Sequence, residues 1–155
     1  MTSLSVLASE LGELARGLRQ AGDTDLLGEI QDAIKHAAGP IPDAIRGELR
    51  PRLPDRYADV LNADLAIGIQ TRTGVSTAGV NVVARPRKVQ RRRIRRLDEE
   101  GILAHPLFGN RRRWLSQPVR PGFFTDPAEA AAPRVRDEIE AALERVKEKI
   151  WAGVR

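Results

Sequence analysis

Positive charge is concentrated in the middle of this 155-residue sequence, in two runs of arginine and lysine between residues 85 and 113. Guanidinium groups bind phosphates through paired hydrogen bonds and stack on nucleic-acid bases. The two runs therefore predict contact with DNA or with an acidic protein surface. The candidate residues are Arg85, Arg87, Lys88, Arg91, Arg92, Arg93, Arg95, Arg96, Arg111, Arg112 and Arg113.

The charge balance along the chain strengthens this prediction. Residues 81–125 carry 12 Lys or Arg and 3 Asp or Glu, whereas residues 1–80 carry 8 and 11 and residues 126–155 carry 6 and 7. A cationic middle third between two nearly neutral ends is typical of a protein that meets a polyanion or an acidic neighbour. No helix-turn-helix, zinc-finger or RNA-binding aromatic motif accompanies it, which argues against recognition of a specific base sequence.

Enzymatic chemistry has little support. The sequence has no cysteine and two histidines, which excludes thiol catalysis and cysteine-based zinc sites and disfavours a histidine-rich metal site. The adjacent carboxylates at 98–100 are more typical of a turn than of an acid–base pair. Gly74 and Gly79 have the spacing of a phosphate-binding loop, but Val80-Asn81 replaces the required Lys-Ser/Thr. We expect no enzyme, no cofactor and no metal.

Hydrophobic periodicity predicts a helical N-terminal part over residues 1–61. An apolar stripe with steps of three and four predicts the first helix, through Leu4, Leu7, Leu11, Leu14 and Leu18. Gly22 can end it and Asp23 can cap a second helix, which continues to about Ala38. Shorter helical pieces are expected at 42–49 and 57–61, on either side of a proline-containing break at 50–55.

The remainder predicts a small antiparallel sheet and a closing helix, in a single α+β domain over 1–155. Alternating apolar residues predict a β-hairpin at about 64–85, within a segment 62–96 whose basic end is compatible with an edge strand, a helical turn or an extended arm. A long irregular loop rich in Arg, Pro and Gly is expected at 97–125. A helix over 126–152 then packs on the sheet. No apolar run approaches the roughly 20 residues that a membrane-spanning helix needs, and no signal peptide is visible, so a soluble cytoplasmic protein is expected.

The apolar and aromatic residues of segment 97–125 have two interpretations. They can fold back as a small loop core, or they can project to another subunit, since Trp and Phe are favoured interface anchors. The sequence does not separate the two. The subunit-contact hypothesis involves His105, Pro106, Leu107, Phe108, Trp114, Gln117, Phe123 and Phe124.

An ordered set of short motifs in this segment resembles a known family. His-Pro at 105–106, Phe-Gly-Asn at 108–110, Trp114, Gln-Pro at 117–118 and Pro-Gly-Phe-Phe at 121–124 precede a helix of alternating charge. Together they resemble the tail-component family of long-tailed double-stranded DNA bacteriophages, called tail-completion or head–tail joining proteins. The likeness covers about Leu53 to Trp151, and its strongest part is 105–124.

The resemblance implies a structural virion protein of the phage neck. It implies a homo-oligomeric ring, with six subunits expected, around the DNA path between the connector and the tail tube. The partners would be further copies, the connector or head-closure protein, and the tail terminator or tail tube. Genomic DNA in the channel is a further candidate partner, and no membrane partner is expected. Assembly would take place in the bacterial host cytoplasm. Two alternatives remain: a non-specific nucleic-acid-binding protein that uses residues 85–96, and another neck component, the tail terminator or a head-closure protein.

Overall fold

The structure is a computed structural model that describes residues 3–4, 8–72 and 79–153. It is a mixed α+β fold, which confirms the predicted class. The helices are α1 (Ala8–Ala21), α2 (Thr24–Ala38), α3 (Ile41–Gly47), α4 (Leu49–Arg52), α5 (Asp55–Asp64), α6 (Arg91–Glu99) and α7 (Thr125–Gly153). The strands are β1 (Ser3–Leu4), β2 (Leu65–Arg72), β3 (Gly79–Pro86), β4 (Ile102–Leu107) and β5 (Asn110–Pro118).

The chain forms two compact units, and each is assembled from separated stretches of sequence. The first unit comprises Met1–Ile41, Ile69–Val83 and Glu129–Arg155. The second comprises Pro42–Gly68 and Ala84–Ala128. Strands β2 and β3 and helices α3 and α7 therefore contribute residues to both. The single domain expected from the length of the chain stays a prediction.

The junction between α1 and α2 follows the predicted signals. Gly22 has a φ of 73°, in the left-handed region that favours glycine. The Asp23 carboxylate then accepts a hydrogen bond of 3.1 Å from the backbone N–H of Leu26, which caps α2. The apolar residues Ile30 and Ile34 of α2 are fully buried.

The beginning of the chain differs from the prediction. Leu4, expected to open the first helical stripe, lies in β1, where Ser3 and Leu4 pair with Asn81 and Val80 of β3. Hydrogen bonding to the edge of β3 satisfies the backbone groups that a helix would otherwise have paired, and α1 begins only at Ala8. Leu7 of the predicted stripe lies outside the described residues.

The predicted hairpin and C-terminal helix are both present. Strands β2 and β3 are neighbours in a sheet of order β1-β3-β2, and the connection at 73–78, which includes Gly74, lies outside the described residues. Helix α7 begins within a residue of its predicted start and continues through Pro133. Its apolar stripe is buried, through Val135, Ile139, Ala142, Leu143 and Val146.

The proline-containing break predicted at 50–55 is partly wrong. Helix α4 covers Leu49–Arg52, with Pro51 as its third residue. Proline is tolerated in the first turn of a helix because the N–H it lacks would have no intrahelical partner there. The turn predicted at 57–61 is a longer helix, α5, which starts directly after Pro54.

The irregular loop predicted at 97–125 is also wrong over most of its length. Its first residues complete α6, and β4 and β5 then form an antiparallel hairpin. The two-residue turn has positive φ at both Phe108 (48°) and Gly109 (76°), the conformation that matches the twist of paired strands. Pro106 lies in β4 and Pro118 lies in β5. Proline is tolerated at strand positions whose N–H would face the open edge of the sheet.

The structure assigns a helix to most of the basic run whose secondary structure the sequence left open. Residues 87–90 lead from β3 into α6, which begins at Arg91. In the part of the chain that the structure describes, no helix is long and apolar enough to cross a membrane.

Candidate binding surface

Helix α6 presents a row of arginines because its opposite face is buried. Ile94, Leu97 and Asp98 share one face through their spacing of three and four, and all three are buried. The remaining positions are exposed, and they carry Arg91, Arg92, Arg93, Arg95 and Arg96. Burial of the two apolar side chains thus holds five guanidinium groups in solvent.

A buried carboxylate at the end of α5 fixes the entry to this helix. Asp64 is 6% exposed, and its two carboxylate oxygens accept hydrogen bonds from the backbone N–H groups of Lys88 (2.7 Å) and Val89 (3.0 Å). Its backbone carbonyl accepts a third bond from the N–H of Arg87. These bonds set the path of the chain into α6.

A second buried carboxylate fixes the end of α6. Oδ1 of Asp98 accepts from the N–H groups of Phe124 (2.7 Å) and Thr125 (3.3 Å), and Oδ2 accepts from the Thr125 hydroxyl. The Asp98 carbonyl also accepts from the N–H of Gly122. These bonds close the base of the β4–β5 hairpin, because they tie the end of α6, which precedes the hairpin, to the turn at 122–125 that follows it.

Asp98 has a role that the sequence interpretation missed. We predicted the acidic triplet at 98–100 to start or end a turn, and the structure places Asp98 and Glu99 in the last turn of α6 with Glu100 as its C-cap. Glu99 and Glu100 are exposed and pair with Arg95 and Arg96, four residues earlier. The signal for Asp98 was its spacing of four residues from Ile94, which places it on the apolar face.

One arginine of the second unit is buried and structural. The Arg52 side chain is 5% exposed and forms ion pairs with Glu48 (2.7 Å) and Asp126 (2.8 Å). It also donates to the carbonyl oxygen of Pro121. Arg52 therefore joins α4 to the segment that leads into α7. No motif in the sequence distinguishes it from the exposed arginines.

The hairpin presents β5 to solvent. All nine residues of β5 are exposed, whereas β4, which lies against α6, is mostly half-buried and contains the buried Leu103. At the turn, the Phe108 side chain is 99% exposed. An apolar side chain this exposed at a hairpin tip is available for contact with another molecule.

The two arginine runs meet at Trp114. The guanidinium carbon of Arg93 lies 4.3 Å from the centre of the Trp114 ring, within the range of a cation–π interaction. The Trp114 Nε1–H donates to the carbonyl oxygen of Arg111 (2.9 Å). Helix α6 and strand β5 thus form one surface, here called the arginine surface, which consists of Arg91, Arg92, Arg93, Arg95, Arg96 and residues 111–114.

The charges on the arginine surface are incompletely balanced. Arg91, Arg92 and Arg93 occupy the first turn of α6, where the helix dipole is positive and no acidic residue is present. Burial raises the pKa of the Tyr57 phenol above its usual 10, and the positive charge of Arg93 opposes that rise. A bound anion would reduce the repulsion among these groups, so the surface can bind phosphates or carboxylates.

The structure divides the residues predicted to contact other molecules. All eleven candidate cations are exposed. Phe108, Trp114 and Gln117 are exposed and His105, Pro106 and Leu107 are half-buried, which leaves them accessible to a partner. Phe123 (0% exposed) and Phe124 (5%) belong to the core, so the subunit-contact hypothesis is wrong for these two: they pack inward at the turn that Asp98 holds.

Comparison with protein-family models, with curated proteins and with solved structures returned no match for this chain. Among the described residues, no three His, Asp or Glu side chains are grouped so that they could hold a metal ion. The arginine surface can bind anions, and Trp114 on that surface and Phe108 at the hairpin turn can make apolar contacts.

Proposed function

We propose that the protein is a structural subunit of the phage neck, a tail-completion or head–tail joining protein that forms a ring around the DNA channel. The observation that carries the proposal is the exposure of the hairpin: all of β5 is exposed, including Trp114, and so is Phe108 at the turn. The sequence motifs that resemble the phage family, from His105 to Phe124, coincide with this hairpin and the turn that closes it.

The hairpin suits an arm that contacts the next subunit. An arm on one copy that binds a different surface of the next copy makes a head-to-tail contact, and such contacts close into rings when the rotation allows. Phe108 and Trp114 would be the apolar anchors, with the arginines at the polar rim. Six copies are expected, between the connector or head-closure protein on one side and the tail terminator or tail tube on the other.

Electron microscopy of phage lysates tests the proposal. With the gene interrupted, we expect filled heads beside separate tails, because the two would lack the part that joins them. Supplying the intact gene in trans should restore complete particles, which serves as the control. Intact infectious virions without the gene product would contradict the neck assignment. A defect confined to tail length or head closure would favour the tail terminator or head-closure protein.

Non-specific binding of nucleic acid is the second candidate function. It is favoured by the three arginines in the first turn of α6, which have no acidic neighbour in that turn and meet a second cationic run at Trp114. Such a surface neutralises phosphates without reading bases, so its affinity would fall steeply with salt.

Replacement of Arg91, Arg92 and Arg93 by Ala tests this second function. If the arginine surface binds DNA, the affinity for duplex DNA should fall and the slope of log K against log salt should decrease by about 1 for each lost phosphate contact. Fluorescence anisotropy over a salt series measures both. The matched control replaces three exposed arginines of α7, Arg134, Arg136 and Arg145, for the same loss of charge. Equal DNA affinity in the two triple variants would exclude this function.

A further inference from the structure

The outer edge of β5 has no neighbouring strand among the described residues, since the sheet consists of β4 and β5 alone. The pairing pattern indicates which backbone groups face that edge. The Val119 N–H donates to the Gly101 carbonyl (2.8 Å), and hydrogen-bonded and non-bonded pairs alternate along antiparallel strands. Ala104–Ser116 and Pro106–Trp114 are therefore non-bonded pairs.

The prolines of the hairpin agree with this alternation. Pro118 pairs with Ile102 and Pro106 pairs with Trp114, both at positions where the missing N–H would face away from the partner strand. Trp114 and Ser116 therefore direct their N–H and C=O groups to the outer edge of β5. Further along, the Arg112 N–H is already bonded to the Asn110 side chain (3.0 Å). The open edge is thus short and centred on residues 114–116.

We infer that this edge binds an extended, carboxylate-rich segment of a partner protein as a third strand. The inference rests on the proposed function and deepens it, because it adds an acidic neighbouring protein at the edge of β5 to the contact that Phe108 would make with the next copy. An added strand takes its affinity from main-chain hydrogen bonds and its specificity from side chains at alternate positions.

Charge complementarity selects an acidic occupant. From Gly101 to Thr125 the sequence contains no Asp or Glu, while Arg111, Arg112 and Arg113 lie on β5 itself. Pairing of β5 with the β5 of a second copy would bring like charges together across the strands, which is destabilising. Carboxylates at one end of an incoming strand would instead form ion pairs with these arginines, which flank the open edge at the point where the register of β5 with β4 shifts between Pro106 and Leu107.

Peptide binding tests the inference on the isolated full-length chain. The probe is a short fluorescent peptide of alternating Glu and Val, and the comparison peptide has Lys in place of Glu. We expect binding of the acidic peptide only. The Ser116→Pro variant removes one outward N–H and no hydrogen bond to β4, so it should bind the acidic peptide about tenfold more weakly. Ser116→Ala, the matched control, should bind like the parent.

A second measurement keeps the test independent of how Ser116→Pro folds. Two versions of the acidic peptide carry N-methyl groups on alternate residues, one set on each edge of the strand. We expect methylation of one edge to abolish binding to the parent protein and methylation of the other edge to leave it intact. Equal binding of both methylated peptides, or no binding of the acidic peptide, would overturn the inference.

The controls separate this inference from its alternatives. If Ser116→Pro and Ser116→Ala bind the acidic peptide equally well, and duplex DNA displaces it, the arginine surface acts by charge alone and the strand-addition inference is wrong. If peptide binding fails while lysates without the gene product contain separate heads and tails, the neck function stands without this partner. Peptide binding together with intact virions in those lysates would remove the neck function.

Discussion

Replacement of Asp98 by Ala should lower the free energy of unfolding by about 3–5 kcal/mol, because buried donors that lose their partner cost about 1–3 kcal/mol each. The carboxylate is the acceptor for two backbone N–H groups, of Phe124 and Thr125, and for the Thr125 hydroxyl. Asp98 is 9% exposed, so water cannot readily replace it. Urea unfolding followed by circular dichroism measures the loss.

The neighbouring Glu99 provides the control for this prediction. Glu99→Ala removes the same charge from the same helix, but its side chain is 53% exposed and pairs only with Arg95. Surface ion pairs of this kind contribute up to about 1 kcal/mol, so the control should unfold close to the parent. Equal losses for the two variants would mean that Asp98 does not hold the base of the hairpin.

Replacement of Phe124 by Ala should destabilise the protein far more than replacement of Trp114 by Ala. Phe124 is 5% exposed, and truncation of a buried Phe to Ala costs about 3–5 kcal/mol. Trp114 is 47% exposed, and loss of its contact with Arg93 should cost about 1 kcal/mol. Thermal unfolding of the two variants beside the parent measures the difference.

The same pair of variants separates core from contact residues in assembly. Trp114→Ala should fold and yet assemble poorly into particles if the hairpin is an intersubunit arm. A larger stability loss for Trp114→Ala than for Phe124→Ala would place the tryptophan in the core and remove the hairpin as an exposed arm.

The helices and strands that a local sequence pattern determines could be predicted from the sequence. The apolar stripes of α2 and α7 and the alternation in β2 and β3 each lie within a few turns or one strand, so the sequence pattern shows them directly. The β4–β5 hairpin was missed because prolines and glycines usually indicate irregular structure. Its turn requires positive φ at Phe108, a conformation that phenylalanine rarely adopts, and its prolines fit only where the missing N–H faces away from the partner strand.

At the binding surface, too, features set by local sequence were predictable and features set by distant contacts were not. Exposure of the clustered arginines was predictable, because arginine is seldom buried without a partner. The long-range contacts of Asp98 and Arg52 were not predictable, because the partners lie far along the chain: Phe124 is 26 residues from Asp98, and Asp126 is 74 residues from Arg52. No local pattern encodes such contacts.

The division of the chain into interleaved stretches has a consequence for synthesis on the ribosome. The second unit needs no residue beyond Ala128, whereas the first needs Glu129–Arg155 in addition to the earliest residues. All residues of the second unit have therefore been synthesised before the first unit receives the residues of its last helix. Until then, α2 lacks the part of the first unit that α7 supplies. Chaperones bind incompletely folded chains that expose apolar surface in this way.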